Sequence, residues 1–370
     1  MLIKAEKEQI KAVYPADADG TKACLSAVRA DLPDFAHDGG VFRTDTARYA
    51  AALAMSAVKE EMLRENLTAL GMKSIVFLSF DGADENRIGM AMGCRGASYD
   101  TTVTVVLRPT AGREWFSDFD VGYGSEHIGF LRAAEYAEQR LADYLYVRRL
   151  RTEPRFLVTG YSRGGAVANL LSKRLCDRFG VDAVRCYTFA SPNTCVSVSG
   201  ACYGSIFNLV RDEDFFTRVP LTGWGYTRYG STLSLSGCGD IRKRFAQLSG
   251  TDYIGFTSPR ETDAFLCALM RLAPNVHAYC ERRYPVGGRS MSLRDYMMTI
   301  AALLAREEEE NAADILLDAT VSEFAQLSDF LMSGMDVTAI LSPAEGTPRC
   351  SVADSHSPAA YMAALQLYRG

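Results

Sequence analysis

A glycine-framed serine between an apolar run and a helix-like stretch constrains this chain more than any other feature. Residues 155–171 read RFLVTGYSRGGAVANLL, with Ser162 at the centre of a G-x-S-x-G turn. Four apolar or β-branched residues before the turn predict a buried parallel strand, and small residues after it predict a helix. Side chains two positions either side of so sharp a turn would collide, so glycine is required at Gly160 and Gly164. This order predicts a nucleophile elbow, with an ordinary strand-to-helix loop as the alternative.

Two backbone amides are candidates for an oxyanion hole beside such a serine. The amide of Arg163 opens the predicted helix, so it points toward the place where an oxyanion would form, with the helix dipole behind it. The second donor in such sites comes from a loop after an earlier strand. Thr110, which follows the β-rich run 101–107, fits that position, and an ordinary turn threonine is the alternative.

The alternation of strand-like and helix-like stretches predicts an α/β fold. Predicted strands cover 74–80, 88–93, 101–107, 156–159, 183–190 and 205–210. A single helix is predicted over 46–70, where Gly71 ends it, and another from 127 to about 149. Strands that alternate with helices in this way form a mostly parallel sheet flanked by helices on both faces.

The composition of successive segments predicts four regions. Residues 1–40 are predicted to form a peripheral N-terminal segment with one strand, and residues 41–235 the α/β core. Residues 236–343 turn largely helical and predict an insertion or cap beside the sheet, a position from which caps exclude water and shape specificity. Residues 344–370 return to the core as a C-terminal segment.

An acid and a histidine follow the serine in the chain. The cluster Asp212, Glu213 and Asp214 lies at the end of a predicted strand, where one carboxylate could orient a histidine; a solvated acidic loop is the alternative. His356 lies in a polar loop before the terminal helix and follows both the serine and the acids. The order serine, acid, histidine is the one expected for a hydrolase of this architecture, and His127, which precedes the serine, is expected to be structural.

Charge and hydropathy restrict the partners. The 370 residues carry a net charge of -5 without long basic blocks, which argues against nucleic-acid binding. No apolar stretch approaches the length of a membrane span, and the N-terminus lacks the apolar middle of a signal peptide. We therefore expect a cytoplasmic protein, although an exported protein with a trimmed N-terminus would look the same. Cysteines and histidines show no zinc spacing, and no metal or organic cofactor is expected.

Several stretches together resemble the class 3 (fungal-type) lipase family, and more closely its bacterial relatives within the α/β-hydrolase superfamily. They are VVLRPTAGREWFSDF, EHIGF, VTGYSRGGAVANLL, YTFASPNT, FNLVRDEDFFTRVPLTGWGYTRYG and SHSPAAY. The resemblance implies Ser162 as nucleophile, Asp214 as acid and His356 as base. It also implies that Thr110 is the oxyanion hydroxyl residue.

Two further roles come from the resemblance alone. Asp118 would orient Thr110, and Trp115 would be an aromatic residue of the lid region. The chain departs from the family at Arg163, where Leu is common, and at Pro109 before Thr110. The charge of Arg163 is expected to lie beside the site.

The function expected from these observations is hydrolysis of carboxylic esters through an acyl-enzyme, as in a lipase or esterase acting on acylglycerols or other lipid esters. The partner would be a small-molecule or lipid ester, and transient contact with a lipid interface is compatible with the sequence. Two alternatives stay open. They are a phospholipase-type acyl hydrolase and a non-catalytic binding module with the same fold.

Overall fold

A seven-stranded sheet forms the centre of the molecule. The computed structural model describes residues 9–15, 23–29, 35, 40–97, 100–111, 114–118, 124–149, 153–196, 203–220, 222, 225–263 and 352–368. Its sheet strands are β3 (Lys73–Leu78), β4 (Met90–Ala97), β5 (Asp100–Leu107), β6 (Arg155–Tyr161), β7 (Val184–Phe189), β9 (Ile206–Val210) and β11 (Ser231–Ser234). The spatial order is β11-β9-β7-β6-β5-β4-β3.

The five strands from β11 to β5 run parallel, and β4 and β3 add antiparallel pairings at one edge. This arrangement confirms the predicted mostly parallel sheet. The carboxyl ends of β5, β6 and β9 therefore meet at one edge of the sheet. Functional groups collect at such an edge in open α/β sheets.

Helices cover both faces of the sheet. They are α1 (Thr44–Ser56), α2 (Glu60–Ala69), α3 (Glu114–Asp118), α4 (Ile128–Arg148), α5 (Arg163–Phe179), α6 (Ile241–Ser249), α7 (Val352–His356) and α8 (Pro358–Leu367). Two short strands, β8 (Cys195–Val196) and β10 (Tyr226–Thr227), pair antiparallel outside the seven-stranded sheet.

Strand β6 shows how the two faces are built. Its side chains alternate, because successive residues of a strand point to opposite faces. Phe156 and Val158 pack with α4 and α5 in one buried cluster, whereas Leu157 and Tyr161 pack with α1 and α8 in the other. With both faces covered, β6 is buried from Phe156 to Tyr161, and the chain turns at Ser162 directly after it.

The helix predicted over residues 46–70 is wrong as a single element. The chain forms α1, breaks at 57–59 and resumes as α2, with Lys59 in an extended conformation before the second helix. The two helices bury different parts of their surfaces. Helix α1 is buried on nearly all sides, whereas α2 buries mainly Leu63, Asn66 and Leu67, so a continuous helix could not serve both.

The N-terminal segment contains two strands rather than the one expected. Strands β1 (Gln9–Pro15) and β2 (Ala23–Arg29) pair antiparallel. Asn66 of α2 donates to the carbonyl of Val13 and accepts from its amide, at 2.9 and 3.1 Å. The hairpin is thereby fastened to the helices that cover the sheet.

Most of the predicted insertion 236–343 lies outside the described residues, which stop at 263 and resume at 352. In the described part, Phe245 of α6 and Tyr253 pack against Ala359 and Ala363 of α8. In the part of the chain that the structure describes, no helix combines the length and apolar character needed to cross a lipid bilayer.

Candidate active site

Ser162 lies on a strained turn between β6 and α5. Its φ and ψ are 57° and −127°, a conformation that side-chain-bearing residues rarely adopt. A Cβ on Gly160 would lie 2.2 Å from the carbonyl oxygen of Gly164, and one on Gly164 would lie 2.3 Å from that of Leu107. Both positions therefore require glycine, because the clashing atoms belong to the backbone. The Ser162 amide donates to Phe189 O at 2.9 Å, which ties the turn to β7.

The structure brings Ser162, His356 and Asp214 into one hydrogen-bonded chain. His356 Nε2 lies 2.9 Å from Ser162 Oγ, and His356 Nδ1 lies 2.8 Å from Asp214 Oδ2. The serine and histidine are 194 residues apart in sequence. Three segments thus converge at one sheet edge: the end of β6, the loop after β9 and the end of α7. Atoms at these distances can pass a proton from the hydroxyl to the imidazole.

Asp214 is fully buried and accepts three hydrogen bonds. Besides the imidazole, Tyr361 Oη donates to Oδ2 at 2.7 Å and the Phe216 amide donates to Oδ1 at 3.0 Å. Burying an unpaired carboxylate is costly, and these donors compensate it. With Asp214 ionised, its contact to Nδ1 favours the tautomer with the proton on Nδ1, which leaves Nε2 free to accept from Ser162.

The other two acids of the cluster face elsewhere. Asp212 Oδ2 accepts from Ser234 Oγ at 2.9 Å on the exposed side of the loop. Glu213 Oε2 accepts from Ser236 Oγ at 2.7 Å and lies 3.6 Å from Arg211. Asp214 is thus the member of the cluster that contacts the histidine.

His356 is held on several sides. Tyr161 Oη donates to its carbonyl oxygen, and the Phe216 ring lies 4.5 Å from the imidazole ring. Its side chain is 13% exposed, so the ring keeps one open side. A narrow cavity of about 40 Å³ opens there; its lining includes Ser162 and His356 together with Thr110, Asp118, Phe130, Arg163, Pro192, Phe216, Val219 and Pro220.

Thr110 lies in the loop after β5, on the wall of this cavity. Its hydroxyl donates to Asp118 Oδ2 at 2.7 Å. A threonine hydroxyl has a single hydrogen. When that hydrogen is given to Asp118, the group left to face an oxyanion is the backbone amide, and the hydroxyl serves as an anchor for the loop.

The charged side chain of Arg163 lies beside the site, but it is buried in the protein and does not face the cavity as a free charge. Its backbone opens α5, whose first amides have no partner within the helix. Its side chain is 0% exposed and pairs with Asp118 Oδ1 at 2.5 Å. The charge is thus neutralised beneath the loop that carries Thr110.

A second buried ion pair braces the same loop. Arg108 pairs with Glu114 at 2.7 Å, and the other oxygen of Glu114 accepts from the Ala111 amide at 3.0 Å. Burial raises the pKa of Glu114 to about 7, although the charge of Arg108 opposes that rise. Sequence reasoning missed this pair, and the spacing of Arg108 and Glu114 around a predicted loop was the available signal.

His127 is buried at the start of α4, in line with the structural role expected for it. Its Nε2 contacts the carbonyl oxygen of Asp118 at 3.0 Å, and its Nδ1 accepts from the Phe130 amide at 3.4 Å. Burial lowers the pKa of His127 to about 3, and the charge of Arg163 adds to that effect. The imidazole is therefore a neutral brace for the segment that ends α3.

Two more residues near the site remain to be compared with the sequence predictions, Trp115 and Tyr361. Trp115 belongs to α3, but its side chain falls outside the described part of the structure. The sequence did not predict a role in the site for Tyr361. The available signal was its position on a predicted helix, five residues after His356. The Tyr361 hydroxyl, which also accepts from the Arg211 amide at 3.2 Å, helps to fix Asp214.

The mostly parallel sheet and the strained serine after its central strand are the features of the α/β-hydrolase fold. Residues 92–224 match the family model of class 3 lipases. The match begins within β4 and runs beyond β9, so it includes the nucleophile turn and Asp214. It ends well before His356.

Solved structures of lipases are similar to this chain at low identity. One is a triacylglycerol lipase with a serine protease triad at its catalytic centre: 19% identity, TM-score 0.42, with 52% of this chain and 79% of that chain covered. Another is the triacylglyceride lipase of Rhizomucor miehei: 18% identity, TM-score 0.40, with 51% and 78% covered. A third is a lipase of Rhizopus microsporus var. chinensis: 16% identity, TM-score 0.39, with 56% and 82% covered. No curated protein matches the chain.

Proposed function

We propose that this chain hydrolyses carboxylic esters of lipids through an acyl-enzyme formed on Ser162. The observation that carries the proposal is the continuous hydrogen-bonded chain from Ser162 Oγ through His356 to Asp214. A serine on a strained elbow with a histidine at 2.9 Å has a base placed to activate it. The match of residues 92–224 to the class 3 lipase model supports ester hydrolysis as the reaction.

In the first step, Ser162 Oγ attacks the ester carbonyl carbon while His356 Nε2 takes the hydroxyl proton. A carbon–oxygen bond forms, and the electron pair of the carbonyl moves to its oxygen. Asp214 holds the Nδ1 proton and stabilises the imidazolium that results. The amides of Arg163 and Thr110 donate to the oxyanion, an interaction whose loss typically costs about 10² to 10³ in rate.

In the second half, the tetrahedral intermediate expels the alcohol. His356 gives its proton to the departing oxygen, which leaves as a neutral alcohol, and Ser162 remains acylated. Water then attacks the acyl carbon while His356 takes one of its protons. Collapse of the second intermediate releases the carboxylic acid and returns the proton to Ser162, so no cofactor is consumed.

The cavity wall supports an apolar acyl group as the bound part of the substrate. Five apolar residues are among those that line it: Phe130, Pro192, Phe216, Val219 and Pro220. Apolar surface of this kind contributes about 25 cal/mol for each Å² removed from water on binding. A head group would extend outward, toward solvent or a lipid interface.

A chain-length series of p-nitrophenyl esters tests the proposal. The wild type should hydrolyse at least one ester, and Ser162→Ala should lose the activity by three or more orders of magnitude, leaving at most a residual rate from the oxyanion hole. Ser234→Ala, which changes an exposed serine on the same side of the sheet, is the matched control and should keep it. No hydrolysis by folded wild type would favour the non-catalytic binding module. Release of fatty acid from phosphatidylcholine but not from acylglycerols would favour the phospholipase alternative.

A further inference from the structure

The arginine that follows the nucleophile is placed where a charge is costly. The side chain of Arg163 is fully buried, and burying a guanidinium without partners is strongly unfavourable. It therefore bonds on several sides. One terminal nitrogen pairs with Asp118 Oδ1, and the other donates to the carbonyl oxygens of Glu85 at 3.0 Å and Arg87 at 3.2 Å.

These bonds join two segments that must cooperate in the reaction. The Arg163 backbone follows Ser162 and begins α5, whereas Thr110 lies in the loop after β5. Asp118 bridges them, because its Oδ1 accepts from Arg163 and its Oδ2 accepts from Thr110 at 2.7 Å. The bridge links the segment that carries one proposed oxyanion amide to the segment that carries the other.

We infer that Arg163 is a positioning residue, whose side chain holds Asp118 and through it Thr110, so that the two oxyanion amides face one point. The inference rests on the proposed function. Oxyanion donors act because they are fixed before charge develops, and a displacement of about 1 Å can cost about 10² in rate. The two hydrogen bonds at Asp118 supply that fixation directly.

The charges around Asp118 agree with this role. Burial raises the pKa of Asp118, and the positive charge of Arg163 offsets part of that rise. Glu114, whose Oε2 lies 3.9 Å from Arg163 Nε, and Arg108 complete a set of two acids and two bases under the loop. An ionised Asp118 is an acceptor alone, which fixes the direction of the bond from Thr110.

A substitution at position 163 tests the side chain alone, because the backbone amide remains in place. Arg163→Met keeps the length and removes the charge, and Asp118→Asn removes the bridging charge with little change in shape. Arg87→Met is the matched control. The Arg87 side chain is 55% exposed, and only its backbone carbonyl accepts from Arg163. Because the substitution leaves that carbonyl in place, kcat should stay within about twofold of wild type.

The readouts are kcat and KM for the best p-nitrophenyl ester, together with inhibition by two ketones. A trifluoromethyl ketone adds Ser162 Oγ to its carbonyl and forms an oxyanion, whereas the methyl ketone of the same chain binds without reacting. In folded Arg163→Met and Asp118→Asn, kcat should fall about 10- to 100-fold with KM nearly unchanged. The inhibition constant of the trifluoromethyl ketone should rise by a similar factor, and that of the methyl ketone should rise by less than about twofold.

The double variant tests whether the two residues act as one unit. The loss in Arg163→Met/Asp118→Asn should not exceed that of the larger single variant by more than about threefold. The inference would be overturned if the losses of the two single variants multiplied in the double variant. It would also be overturned if either single variant kept a kcat within twofold of wild type, or showed a raised KM with unchanged kcat. Should Arg163→Met yield no folded protein, Arg163→Lys decides by the same kcat, KM and ketone criteria, because it keeps the charge but has a single nitrogen in place of the two that bond Asp118 and the carbonyls. An inactive wild type would instead refute the proposed function.

Discussion

Replacing Asp214 with asparagine should remove most of the activity while leaving the fold intact. Asp214 Oδ2 accepts from both His356 and Tyr361, and Oδ1 accepts from the Phe216 amide. An asparagine amide has one oxygen to accept with. If its NH₂ group faces Phe216, two donors oppose each other. If it faces the imidazole, Nδ1 must accept and the proton moves to Nε2.

With the proton on Nε2, His356 can no longer take the proton of Ser162. In a serine hydrolase, loss of the correct tautomer in this way costs about 10⁴ in kcat. That factor corresponds to about 5.5 kcal/mol of transition-state stabilisation. Because Asp214 is fully buried and does not line the cavity, KM should change little.

The matched control is Asp212→Asn, two residues earlier in the same loop. Its Oδ2 accepts from Ser234 at the exposed side of the loop, a bond that an amide oxygen can replace. We expect a kcat within about twofold of wild type for this variant. Steady-state hydrolysis of a p-nitrophenyl ester, with circular dichroism to confirm folding, measures both.

The opposite pattern would refute the reasoning. If Asp212→Asn were inactive and Asp214→Asn kept a tenth or more of wild-type kcat, the assignment of the acid would be wrong. Equal small losses in both variants would show that neither carboxylate orients the histidine.

Three further outcomes follow from the described contacts. Gly164→Ala should cost about 1–3 kcal/mol or prevent folding, because the new Cβ meets strand backbone at 2.3 Å, whereas Gly204→Ala, with no atom within 4 Å, should keep its melting temperature. Thr110→Val should lower kcat about 10- to 100-fold because the loop loses its anchor, and Thr110→Ser should keep most of it. The low pKa of His127, about 3, means that the unfolded chain binds more protons than the folded one between pH 3 and 6.5, so stability falls as pH falls through that window. The melting temperature of His127→Gln should therefore depend less on pH in that window than that of wild type.

Much of the fold could be predicted from the sequence because its signals are local. The apolar run before Ser162, the two glycines and the small residues after it each report on their immediate surroundings. The break between α1 and α2 could not be predicted, because it depends on which faces the sheet and the N-terminal hairpin cover. That information lies in contacts between distant segments.

The features of the site also fall into those that the sequence predicts and those that depend on contacts between distant segments. The order of Ser162, Asp214 and His356 follows from the strand ends and from the family resemblance. The buried partnership of Arg163 with Asp118 could not be predicted, because a long charged side chain after a nucleophile can turn either to solvent or into the protein. Its choice depends on the carboxylate and carbonyls that α3 and the loop before β4 present to it.

Covalent labelling with a fluorophosphonate probe tests the central claim most directly. The probe should modify folded wild type at Ser162, as mapped by mass spectrometry, because an activated serine displaces fluoride from phosphorus. Labelling should vanish in Ser162→Ala and slow by orders of magnitude in His356→Ala. Attachment of the probe at another residue, or equal labelling of wild type and His356→Ala, would contradict the account.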